Sequence, residues 1–177
     1  MCRDGLAPRS ETGDKWRVMT QEPQDADDPM IDMVLGRIVI RDGTEQQHIY
    51  LKEARGERGF PIVIGSVEAA EIRRVVTGTV PERPLTHQLA HDLVTATGAV
   101  IERVDIVNLR NNTFYARIAL RPPAQGSTPA ALCEVDARPS DAIALALRAK
   151  APVRVAESVL EAVRTDTSGP DPLPPTP

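Results

Sequence analysis

Asp136-Ala137-Arg138-Pro139-Ser140-Asp141-Ala142-Ile143-Ala144-Leu145-Ala146-Leu147-Arg148 is the stretch on which the fold turns. Its first residues end an apolar run that reads as a short strand over 132–137. From Asp141 to Lys150 a helix follows. Ala142 to Leu147 are apolar on every side, so this helix has no face for water and must be buried. Ser140 is expected to cap it. Asp141 falls in the first turn, where the helix dipole favours negative charge. Further on, Val153-Arg154-Val155 reads as a short strand and Glu157 to Val163 as a last short helix.

Working towards the N-terminus, Thr113–Leu120 and Ala99–Leu109 read as partner strands around an Asn111-Asn112 turn, because Asn tolerates the left-handed conformation. Pro84–Thr97 reads as a helix with Leu85, Leu89 and Leu93 as one apolar stripe, closed by Gly98 in the C′ position. A helix from Gly65-Ser66 to about Thr77 precedes it, with Ser66 as cap and Glu68 near the positive dipole end. Before that come three strands: 33–40, bent at Gly36, then 47–52 and 60–64. Turns at Asp42-Gly43 and 55–59 join them. Paired hairpins without a regular βαβ repeat indicate an α+β fold: a mixed, largely antiparallel sheet with several packed helices.

The chain has 177 residues, 41% of them hydrophobic, which suits one packed core. Residues 1–29 and 165–177 are polar, acidic and proline-containing and are expected to be disordered, which leaves 30–164 as the domain. The formal net charge is −4, and it resides in these tails: the body carries 17 basic and 16 acidic side chains. A balanced body with 3% aromatics offers neither a broad basic footprint nor an extended base-stacking platform, so any phosphate site must be local. No stretch of about 18 apolar residues suggests a membrane span, and the first residues do not resemble a secretory signal. Cys2 and Cys133 make no disulfide framework. A cytoplasmic location is therefore expected.

Several motifs in this order resemble the bifunctional nuclease domain. They are Pro61-Ile62-Val63-Ile64-Gly65 with Glu68-Ala69, Arg83-Pro84-Leu85-Thr86-His87, Thr113-Phe114-Tyr115-Ala116, the Asp136–Arg148 segment and Ala151-Pro152-Val153. The resemblance implies a compact α+β domain, homo-oligomers and a nuclease that cleaves phosphodiester bonds in both RNA and DNA. Where the family usually carries carboxylates, this chain has Gln88, Asn108 and Asn111. The alternative is therefore a non-catalytic oligomeric binding or regulatory module that keeps the fold.

Phosphodiester cleavage needs positive charge at the phosphoryl oxygens and a base for the attacking oxygen. Arg138 can hold a phosphate bidentately at the helix N-terminus, with Ser140 and Arg83 as further substrate-binding candidates. Asp136, Asp141 and His87 are the catalytic candidates, His87 because it titrates near neutrality. Glu68, Asp136 and Asp141 are candidate ligands for a divalent metal, Mg or Mn. The competing reading is structural: caps, dipole partners and an Arg138–Asp136 pair.

Overall fold

The computed structural model describes residues 28–41, 43–124 and 131–165. The chain begins with a meander of β1 (Met30–Val39), β2 (Gln46–Glu53) and β3 (Gly59–Gly65). The helices α1 (Ser66–Thr77) and α2 (Thr86–Ala96) follow. A second meander comprises β4 (Val100–Arg110), β5 (Thr113–Arg121) and β6 (Cys133–Ala137). The chain ends with α3 (Pro139–Ala149), β7 (Val153–Ala156) and α4 (Glu157–Thr165).

The strands form one seven-stranded sheet of order β3-β2-β1-β7-β4-β5-β6. All neighbours are antiparallel except β4 and β7. Since β6 runs the same way as β4, and β4 the same way as β7, β6–α3–β7 is a crossover. It carries the chain from the edge of the sheet to its centre. The fold is thus α+β with a mixed, largely antiparallel sheet, as its sequence indicates.

Burial explains the crossover. Ala142, Ile143, Ala144 and Ala146 of α3 are fully buried, packed with Ile72, Ile106 and Leu160 in one core. Small alanines let α3 lie close over the sheet, and Val153 and Val155 anchor β7 between β1 and β4. Phe60 of β3 stacks on Phe114 of β5, with ring centroids 5.3 Å apart. That contact joins strands that lie far apart in the sheet order. The sheet therefore curls, and β3 faces the β4–β5 turn and the start of α3 across a groove.

The expected turn at Asn111-Asn112 and the helix end at Gly98 are present, whereas Asp42 of the expected Asp42-Gly43 turn lies outside the described residues. Asn111 and Asn112 take φ of 49° and 56°, and Gly98 follows Thr97, the C-cap of α2, with φ 78°. The bend at Gly36 is a register shift between Leu35 and Arg37. Two expectations need correction, the helix caps and the start of the domain. Neither Ser66 nor Ser140 is a cap: those positions fall on Gly65 and Arg138, and neither makes a side-chain cap bond. Pro139 fixes helical φ one residue ahead of Ser140 and so starts the helix earlier. The leucine stripe of α2 faces solvent: Leu85, Leu89 and Leu93 are 40%, 52% and 60% exposed, and α2 buries no residue fully. Finally, the ordered body starts before Met30. Asp28 bonds to the backbone and hydroxyl of Ser158, and Glu157 donates its amide to Pro29. The rest of both expected tails lies outside the described residues, apart from Thr165 at the end of α4.

Candidate functional site

The start of α3 draws together side chains from three helices. Arg138 donates Nε to Oδ2 of Asp141 at 2.8 Å and Nη2 to Oδ1 at 3.1 Å. The same Nη2 donates to Oε1 of Glu68, on the first turn of α1, at 2.8 Å. Nε2 of His87, on the first turn of α2, lies 2.9 Å from Oδ1 of Asp141. His87 and Glu68 are mostly shielded, whereas the Arg138 side chain is 69% exposed.

Electrostatics fix the protonation. Burial raises the Asp141 carboxyl, but the hydrogen bonds and charges of Arg138 and His87 together outweigh it and hold the group below its usual value. Asp141 and then Glu68 hold the Arg138 guanidinium charged, with its pKa raised. An ionised Asp141 can only accept hydrogen bonds, so Nε2 of His87 faces it as an N–H, and whenever the ring is neutral Nδ1 is the nitrogen that carries the lone pair. A base oriented by a carboxylate beside an exposed cation is an arrangement that can handle a phosphate ester.

The groove beside this cluster measures about 460 Å³. Its walls are β3 from Pro61 to Gly65, the β4–β5 turn with Phe114, and Arg138 to Ser140. At the start of α3, Pro139 has no amide hydrogen, and the amides of Asp141 and Ala142 are both bonded to the Arg138 carbonyl. That leaves the amide of Ser140, a residue that lines the groove. Gly65 gives the cluster its clearance: a Cβ there would fall 2.4 Å from Oε2 of Glu68.

Not every expected residue converges. Asp136 is exposed on β6 opposite Arg117 in the strand register, and Arg138 pairs with Asp141 and Glu68 instead. Arg83 is exposed in the loop before α2, with no ion pair among the described residues. Ser140 is 8% exposed in the first turn of α3. A metal held by Glu68, Asp136 and Asp141 does not fit this arrangement. Asp136 stands apart and the other two grip Arg138. Among the described residues no three His, Cys, Asp or Glu side chains form a metal-binding group.

A second polar cluster, at the far end of α3, is not foreseen by the sequence reading. Glu71, with 2% of its side chain exposed, pairs with Arg148 and Arg74, and Arg148 also donates to Gln88. Burial is the largest single influence on Glu71 and raises its pKa, but the two arginines together hold it below the usual range. The available signal is the Glu71–Arg74 spacing of three on a helix that buries Ala69 and Ile72. Gln88, Asn108 and Asn111 do not all serve one purpose: Gln88 links α2 to α3, and Asn111 makes a turn.

The sequence has counterparts among known proteins. The family model described as "Bifunctional nuclease domain" matches residues 49–168. The chain belongs to that family. It is also 43% identical over 115 residues to "Uncharacterized protein Rv1829" of Mycobacterium tuberculosis strain H37Rv and, equally, to "Uncharacterized protein MT1877" of strain CDC 1551. The aligned part is 65% of this chain and 65% of each relative's length. Among the described residues no helix is long and apolar enough to cross a membrane.

Proposed function

We propose that this protein hydrolyses phosphodiester bonds in RNA and DNA at the start of α3. Arg138 binds the phosphoryl oxygens, with the Ser140 amide beside it. His87 takes the proton of the attacking water on Nδ1 as the bond from phosphorus to the leaving sugar oxygen breaks, and Asp141 holds the ring in the tautomer this needs; where an RNA 2′-hydroxyl attacks instead, the same bond breaks and water then opens the 2′,3′-cyclic phosphate. The observation that carries the reading is the 2.9 Å His87–Asp141 bond beside an exposed arginine. The family's description supports it independently.

The test is cleavage of single-stranded RNA and DNA by the purified full chain, with and without chelator. His87→Ala, Asp141→Asn and Arg138→Ala are run in parallel. Each variant should lose about a hundredfold or more in rate. Equal rates in all four proteins would overturn the reading. Participation of a divalent cation, Mg or Mn, is decided by the same chelator arm. The carboxylate arrangement leads us to expect activity without added metal.

One observation favours the alternative of a binding or regulatory module. Arg138 is shared by two carboxylates, which leaves the cluster net negative when His87 is neutral. Retention of labelled nucleic acid without any cleavage would decide for that reading. We further propose self-association through the exposed leucine face of α2, read from the sedimentation mass of the wild type against Leu89→Glu.

A further inference from the structure

The groove beside Arg138 has two chemically different ends. Gln46 pairs with Gly65 in the β2–β3 register, so Gln46 and the neighbouring Glu45 mark the Gly65 end. Arg138 belongs there too, because its partner Glu68 packs on Gly65. The Pro61 end is apolar: Phe60, next in sequence, stacks on Phe114, which lines the groove. Exposed Pro61 and Val63 floor the space between, about 13 Å along the strand. Asn112 and Thr113 stand beside Phe114, and the Asn112 amide makes no hydrogen bond among the described residues.

We propose that this groove seats one unstacked nucleotide of a single strand, with its phosphate on Arg138 and its base against Pro61, Val63 and Phe114. The volume suits a ligand of that size. The apolar floor accepts a base face, which is sequence-tolerant, and the Asn112 amide meets the base edge. Glu45, the carboxylate of the charged end, works against a second phosphate and, where the strand is RNA, accepts from the 2′-hydroxyl. A base inside a duplex has both faces stacked and its edge paired, so it cannot enter without flipping out. The substrate class is therefore nucleic acid with unpaired nucleotides. The inference rests on the phosphodiester reading only for the role of Arg138; the base seat is carried by the groove itself.

The experiment measures fluorescence anisotropy of the full chain with a labelled single-stranded DNA octanucleotide and with the same strand in a duplex, at fixed salt and in chelator. Cleavage of unlabelled strand is scored separately. The single strand should bind about tenfold or more tighter than the duplex. Val63→Asp, an exposed position whose carboxylate would occupy the floor, should abolish that difference. Asn112→Gly keeps the left-handed turn and should weaken single-strand binding about threefold. Equal affinity for strand and duplex, or wild-type binding by both variants, overturns the proposal whatever the cleavage result. Groove-dependent binding without cleavage supports the base seat and sinks the hydrolase reading alone.

Discussion

The two ends of α3 carry polar clusters of the same plan and opposite character. Each ties α1, α2 and α3 together: Glu68, His87 and Asp141 around Arg138 at the front, Glu71 and Gln88 around Arg148 at the back. At the front the arginine is 69% exposed; at the back it is 17% exposed, over a glutamate with 2% of its side chain exposed. The same residue types thus serve as a site where solvent reaches them and as a clasp where it does not. Buried charge is stable only when paired, so the back cluster is committed to structure, whereas exposure leaves the front arginine free to exchange partners.

The comparison breaks most readily at the back. Arg148→Ala should cost about 3 kcal/mol in urea unfolding, because it removes one of the two arginines that pair the buried Glu71 charge and leaves Arg74 to hold it. Arg138→Ala should cost less than about 1 kcal/mol in the same measurement, since its ion pairs are screened. Equal losses would erase the distinction between clasp and site. Next, His87→Ala should lower cleavage of single-stranded RNA about a hundredfold while its urea midpoint stays near wild type.

Acid stability gives a smaller and signed effect. Glu71 and Asp141 have folded-state pKa values below the ordinary carboxylate range. Their stabilisation is therefore complete above the unfolded-state value, about 4, and is lost as pH falls through the depressed value. Glu71→Gln and Asp141→Asn should each flatten the fall in melting temperature on acidification, as followed by circular dichroism. Smallest of all, Leu89→Glu should change the stability of the isolated chain by no more than about 0.5 kcal/mol, because Leu89 is exposed. A larger loss that depends on protein concentration would show that another surface covers the leucines.

Most of the fold is legible in sequence because local rules agree with the tertiary result. Asn111-Asn112 and Gly98 need particular backbone angles, and only a few residues supply them. The all-round apolar pattern of α3 leaves no choice but burial. The leucine stripe of α2 misleads because periodicity shows that a face exists, not what covers it; α2 meets α3 instead through His87 and Gln88. The site is half legible. Motif and helix position single out Asp141, Arg138, Glu68 and His87. The absence of Asp136 follows from strand register, and the Glu71 clasp from a meeting across 77 residues of chain. Neither is written in local pattern.

The missing methyl group at Gly65 makes the front cluster adjustable. Its φ of −75° suits alanine, so the substitution adds bulk without backbone strain. The Glu68 carboxylate, a flexible tip, would have to swing aside and slacken its hold on the guanidinium. A single carbon atom at this strand end thus sets how firmly the guanidinium is held and, on the proposed reading, works as a tuning screw for its affinity toward an anion.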